Sequence, residues 1–269
     1  LNECITLGET TGFVVSNNHV HHGNTIRGEG IDAKDGSSNG VIFGNHVHDI
    51  PYVGIYIESW DKHTHDIDVF NNRVHNINGD SFSIGSEEGG LLENIRIFNN
   101  LAYNSAQVGI SVHDCCIASH PIRNVEIVNN TVVNNGWVDW GGGILMENPQ
   151  AENILIRNNI VSNNLYFQIA VDSSAVGPVT IDYNLIDGFQ GTEDETKGSD
   201  FLEGSPLFVD GTAGDFHLPS IPGVHLQHQR KILMGRRGHS GETVISVHWN
   251  TVTRKHWCQT LRPMEWMVQ

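Results

Sequence analysis

The 269-residue sequence predicts an all-β solenoid, a parallel β-helix of about seven coils of 25–30 residues each. Two recurring blocks and one spacing carry that prediction. The first block is apolar-x-apolar-x-Asn-Asn-x-apolar. The second is Gly-apolar-x-apolar. The second Asn of the first block falls at 18, 45, 72, 100, 130, 159 and 184, with steps of 27, 27, 28, 30, 29 and 25 residues.

The first block opens as Phe13-Val14-Val15-Ser16-Asn17-Asn18-His19-Val20. It returns at Ile67–Val74, Ile95–Asn100, Val125–Asn130 and Ile154–Asn159, with weaker copies at Ile42-Phe43-Gly44-Asn45 and Ile181-Asp182-Tyr183-Asn184. The second block reads Gly30-Ile31-Asp32-Ala33, Gly54-Ile55-Tyr56-Ile57, Gly109-Ile110-Ser111-Val112 and Gly143-Ile144-Leu145-Met146, with Ser81-Phe82-Ser83-Ile84 and Gln168-Ile169-Ala170-Val171 as variants. Alternation with period two makes each block a strand with one face inward. A helical repeat needs longer segments at period 3.6 and few glycines. The column Val15, Ile42, Val69, Ile97, Ile127, Ile156, Ile181 is the expected core stack. The repeated Asn is the expected turn ladder, its amide bonding the coils on either side, and Asn also suits a left-handed turn.

Charge narrows the function. The chain has 15 Lys+Arg and 31 Asp+Glu, a net −16, which argues against a nucleic-acid partner. No apolar run is long enough for a membrane helix. Residues 1–218 hold 8 basic and 29 acidic residues, a balance of −21, whereas residues 219–269 hold 7 and 2, a balance of +5. A β-helix domain over 1–218 and an atypical basic tail over 219–269 are therefore expected. The tail lacks both blocks, and its composition favours out-of-frame or vector-derived sequence over a C-terminal cap or a small binding appendage. The start, Leu1-Asn2-Glu3-Cys4, carries no initiator Met or signal peptide and reads as a cut or fragment boundary. Cys115 and Cys116 are adjacent, no CxxC occurs, and all four cysteines (with Cys4 and Cys258) are expected to be free.

On these blocks the chain resembles the right-handed parallel β-helix (pectate-lyase-like) superfamily, in its bacterial carbohydrate-active form. Ser205-Pro206-Leu207-Phe208-Val209-Asp210 followed by Gly214-Asp215-Phe216-His217-Leu218 looks like the terminal cap of bacterial members. The resemblance spans residues 10–218. It implies a carbohydrate partner and a secreted or periplasmic location. It does not fix the reaction, since hydrolases, lyases, epimerases and inert spikes share the fold.

Stacking turns sequence into geometry, because equivalent outward positions lie about 4.8 Å apart in adjacent coils. The columns beside the second block bring Asp32, Lys34, Asp35, Tyr56, Glu58, Asp61, Glu87, Glu88, His113 and Asp114 to one outer face. Surface ion pairs such as Lys34–Glu58 are the plainer explanation of such a face. Acids, a Lys, a His and a Tyr across four coils read better as a groove. Glycoside hydrolysis needs two carboxyl groups flanking the bond, and Asp35, Glu58 and Glu88 are the candidate catalytic acids. Asp32, Lys34, Tyr56, Asp61, Glu87, His113 and Asp114 are candidate substrate contacts. Trp60, Trp137 and Trp140 are candidate stacking platforms for sugar rings, though Trp137 and Trp140 also suit a covered core edge.

His19/His21, His46/His48 and His75 read as a stacked surface ladder rather than a metal site, and no metal or cofactor is expected for hydrolysis. A lyase or uronan epimerase is second: it would use Lys34 and calcium held by Asp32, Asp35, Glu58 and Glu88. The acidic balance would repel its polyanionic substrate. The alginate-epimerase Asp-Pro-His-Glu run and the polygalacturonase signatures are absent. A non-catalytic carbohydrate-binding or surface protein is third.

Overall fold

The computed structural model describes residues 3–23, 26–114, 120–138, 140–175 and 177–219. Three parallel sheets run along the solenoid, with seven, seven and eight strands among the described residues. The first sheet holds the Gly-block strands: Ile5–Gly8, Ile31–Lys34, Ile55–Ser59, Phe82–Ser86, Ile110–Asp114, Ile144–Met146 and Ile169–Val171. The second holds the strands that end in the Asn-Asn turn, from Val14–Ser16 to Val179–Asp182. The third holds the short strands just after that turn, from His19–His21 to Leu185–Asp187, and Leu202–Glu203 adds its eighth member.

The register matches the repeat. Val15, Ile42, Val69, Ile97, Ile127, Ile156 and Ile181 pair one above another. All but half-buried Ile181 are fully enclosed in the single main core. The two asparagines of each turn divide the labour. The first takes the left-handed backbone, with φ of 53–59° at Asn17, Asn71, Asn99, Asn129 and Asn158. Gly44 fills that position in the weak copy, at φ 64°. The second forms the ladder: Nδ2 of Asn45, Asn72, Asn100 and Asn130 donates to the next Oδ1 at 2.9–3.1 Å. Each also bonds a core-strand carbonyl, as Asn45 does Val15 O at 3.0 Å, so a sharp buried turn keeps its polar groups paired. A second, shorter ladder runs Asn135–Asn164–Gln168.

The block glycine is required by close approach. A Cβ on Gly54 would lie 2.4 Å from Val74 Cγ1 and 2.5 Å from Ser81 O.

Two expectations are revised. Residues 205–218 do not sit on the end of the solenoid. Phe208 and Phe216 fold back over Leu101, Tyr103 and Val133 on the outside of the third sheet, because those outward positions are apolar and need cover. Cys4 is not free: it is buried and disulfide-bonded, its partner lying outside the described residues. The adjacency that suggested free thiols bears only on Cys115 and Cys116, which also lie outside them. The expected tail boundary at 218 falls at the edge of the described residues, and residues 220–269 lie beyond it.

Candidate active site

The outward positions of the first sheet form the two columns read from the sequence. Asp32, Tyr56, Ser83, Ser111, Leu145 and Ala170 stack in one. Glu58, Gly85 and His113 stack in the other, with Lys34 one residue beyond the Ala33–Ile57 pair and so beside Glu58. Strand alternation points these side chains away from the core, yet Asp32 is fully buried and Glu58 only 6% exposed. Residues that enter and leave the strands close over them: Glu3 and Glu29 on one side, Glu87 on the other. Gly85 leaves a gap between its neighbours. A Cβ there would meet Tyr56 Oη at 2.6 Å and His113 Cε1 at 2.9 Å, and through that gap the Tyr56 and His113 rings stack at 5.8 Å.

Lys34 is the hub. Its Nζ lies 2.5 Å from Asp32 Oδ2, 3.2 Å from Glu3 Oε1 and 3.4 Å from Glu58 Oε1. One cation cannot neutralise so many enclosed acids. Burial pushes Asp32 up to about 7 against the opposing pull of Lys34, and pushes Glu29 up to about 7. Glu58 rises furthest, to about 9, through burial, the nearby Asp32 and its hydrogen bond to Glu87. Burial opposes the charge on Lys34, but Asp32, Glu58 and Glu3 together hold it protonated above its ordinary value. Tyr56 donates to Glu87 Oε1 at 2.6 Å. Its phenol is raised well above the usual range by burial and then by Glu87 and Glu58. At neutral pH the cluster therefore presents a protonated carboxyl, Glu58, hydrogen-bonded to a second carboxyl that a phenol positions.

The remaining expected residues divide. Asp35 sits in a left-handed turn at φ 51°, and its Oδ1 accepts from the backbone of Trp60 at 3.1 Å and Asp61 at 3.4 Å. It anchors a loop rather than facing the acids. Trp60 and Asp61 are exposed on that loop, and exposed Glu88 joins it through its N–H to Trp60 O at 2.8 Å. The three form a rim. Asp114 ends its strand opposite Ser86; its side chain lies outside the described residues. Trp137 and Trp140 do not reach the acids. Trp137 bonds Asn104 O at 3.3 Å and lines a separate open depression of about 430 Å³ with Asp49, Asn76, Asn78 and Asn104. Trp140 lies against Phe167 at 5.6 Å. Phe167 packs with Val108, Leu145 and Ala170 at the apolar far end of the same face.

Asp80, Glu29 and Glu3 were missed. Asp80 accepts from Ser111 at 2.6 Å, Val108 N at 2.9 Å and Ser83 at 3.3 Å, and burial pushes its carboxyl up. Glu29 and Asp80 occupy the position just before the second block, a column that reads Glu29, Val53, Asp80, Val108, Gly142, Phe167. Reading that column would have found both. Among the described residues, Glu3, Glu29 and Asp32 could hold a hard cation, each placing an oxygen within 4.8 Å of the others. Glu29 Oε2 and Asp32 Oδ1 are buried without a hydrogen-bond partner. The Lys34 ammonium already competes for the same oxygens.

Residues 69–200 match a family model described as the right handed beta helix region. This chain is a right-handed parallel β-helix. Among solved structures, the β-helix is similar to the periplasmic alginate epimerase AlgG, at 16% identity and a TM-score of 0.59, over 76% of this chain and 48% of that one. It is also similar to the A-module of the Azotobacter vinelandii mannuronan C-5 epimerase AlgE6, at 14% identity and 0.45, over 73% and 65%. A third is the Dettilon tailspike protein, at 17% identity and 0.37, over 73% and 56%. The chain thus spans about half the length of AlgG. At 16% identity the likeness to AlgG bears on the fold and not on the reaction. No curated protein matches the sequence. No helix among the described residues is long and apolar enough to cross a membrane.

Proposed function

We propose that this β-helix is a carbohydrate-active enzyme, and specifically a glycoside hydrolase that cleaves a neutral glycan on the outer face of its first sheet. The observation that carries the reading is Glu58, a carboxyl pushed up to about 9 and hydrogen-bonded to Glu87. A carboxylic acid that keeps its proton at neutral pH can protonate a glycosidic oxygen, provided a partner carboxyl group faces the sugar. Glu87, held by the Tyr56 hydroxyl, is that partner. In the free protein the two carboxyls touch. As the two carboxyls part around a glycosidic oxygen, Glu58 protonates it, the bond from that oxygen to the anomeric carbon breaks, and water attacking that carbon gives its proton to Glu87. Trp60, 45% exposed on the rim, offers a stacking face for a neighbouring sugar. The exposed Asp61 and Glu88 suit hydroxyl groups better than anionic ones. Location follows substrate, so export to the periplasm or beyond belongs to the same proposal.

A uronan epimerase or lyase is the second reading, favoured by the stacked Tyr56 and His113 rings on the same face as Lys34 and by the activity named for AlgG. Tyr56 would exchange the proton on the sugar carbon, and Lys34 would face the substrate carboxylate. Glu3 and Asp32 already pair with Lys34, which leaves little charge for an anionic sugar.

Incubation with panels of neutral and uronate glycans separates the readings. Reducing ends released from a neutral glycan, and lost in Glu58→Gln, support hydrolysis. Unsaturated uronate absorbance, or solvent deuterium entering a uronan, replaces it with the second reading. Retained glycan binding with no turnover reduces the protein to a binding module.

A further inference from the structure

The outer face of the third sheet carries a second cluster that the proposed reaction does not use. Each His-x-His strand projects both imidazoles outward, and the register stacks His19 on His46 and His21 on His48 on His75. Rings within a column lie 4.8 Å apart for His19–His46, 5.2 Å for His21–His48 and 5.1 Å for His48–His75, all within 8° of parallel. Stacking alone would make this a surface ladder. The columns also face each other edge to edge. His19 Nε2 lies 2.6 Å from His48 Nε2, and His46 Nε2 lies 2.9 Å from His75 Nε2. The array stops where the columns become Arg73 and Tyr103.

We propose that His19, His46 and His48 bind one divalent transition-metal cation of the zinc class, with His75 beside them as a further donor. Imidazole suits zinc, nickel and copper, and carboxylate-preferring calcium and magnesium would be refused. One ligand nitrogen from each of the three residues lies within 4.8 Å of the others. Metal–nitrogen bonds of about 2.0–2.1 Å place tetrahedral donors roughly 3.3 Å apart, so the facing Nε2 pairs need to open by less than about 1 Å. His48 is already oriented for ligation: its Nδ1 bonds Asp49 Oδ2 at 2.7 Å and so turns Nε2 toward His19, the carboxylate–imidazole arrangement usual behind metal ligands.

Calorimetric titration of the full chain with zinc chloride in metal-free buffer tests the site. We expect one equivalent lost at least tenfold in affinity in His19→Ala/His48→Ala, unchanged in His113→Ala, and not competed by excess calcium. The double variant should keep the wild-type melting temperature in chelator, since these rings lie outside the core. Unchanged zinc affinity in that variant, or no zinc uptake by the wild type, overturns the proposal. Should the variant fail to fold, the unmutated protein can be labelled with diethyl pyrocarbonate and mapped by mass spectrometry. Zinc should then protect His19, His46 and His48; equal labelling with and without zinc contradicts the site.

Discussion

The first and third sheets stack like groups at the same one-coil spacing, but on their outer faces that spacing has opposite consequences. On the first sheet it crowds carboxyls around one lysine, and burial keeps protons on: Glu58 and Asp32 rise to about 9 and 7. On the third it crowds imidazoles, and burial keeps protons off: His46 and His75 fall to about 3 and 4. In both places the neutral form wins because desolvation and like-charge repulsion act in the same direction. A solenoid repeat therefore does more than fill a core. It converts a residue repeated at one outward position into a site with shifted acidity.

The comparison depends on a shared scaffold, and the largest expected effect comes from breaking that scaffold. Asn100→Ala removes the acceptor for Asn72 N and Nδ2 and the donor to Asn130 Oδ1 and Val69 O. Leaving such buried groups unpaired should cost about 3–5 kcal/mol, read as a lower denaturant midpoint. Loss of the acid face alone, with the third sheet intact, would show that the two are not held by a common ladder.

Next in size is Gly85→Ala. Its Cβ would fall 2.6 Å from Tyr56 Oη and 2.9 Å from His113, an overpacking worth about 1–3 kcal/mol. Turnover should fall more than stability does, because the gap belongs to the groove. Unchanged turnover would detach Tyr56 and His113 from it.

The pH dependence sharpens the contrast from the acid side. Glu58 is raised in the folded state from 4.5 to about 9. Between those values the folded chain holds a proton that the unfolded chain has released, so stability falls as pH rises. The melting temperature should decline by several degrees from pH 5 to pH 9, and Glu58→Gln should flatten that slope. A slope unaffected by the substitution would place the acidity elsewhere.

The smallest effect is expected away from both faces. Arg96 Nε bonds Asp68 Oδ1 at 2.7 Å on the exposed second sheet, and Arg96→Ala should cost less than about 1 kcal/mol by chemical denaturation. A larger loss would mean that surface ladders contribute as much as enclosed ones.

The sequence disclosed whatever the repeat dictates. The inward column, the Asn ladder and both outward columns follow from counting, since a coil of nearly constant length fixes which residues stack. What counting could not supply was cover. Glu58 looked solvent-facing, and only the positions of Glu3, Glu29 and Glu87 show why it is enclosed. Asp35 shared its column with site residues, but its left-handed turn sends it to the Trp60–Asp61 backbone. Trp137 and Trp140 lie in a turn longer than the repeat, where column arithmetic has no purchase. The histidines were correctly seen as stacked, but the facing nitrogens of two columns depend on side-chain angles that no spacing encodes.

The most direct test of the account is the rate at which the wild type and Glu58→Gln release reducing ends from a panel of neutral glycans. The account predicts turnover by the wild type, falling by about 100-fold or more in the variant, the usual size of a general-acid contribution, with the fold intact by circular dichroism. Undiminished turnover in Glu58→Gln would contradict it.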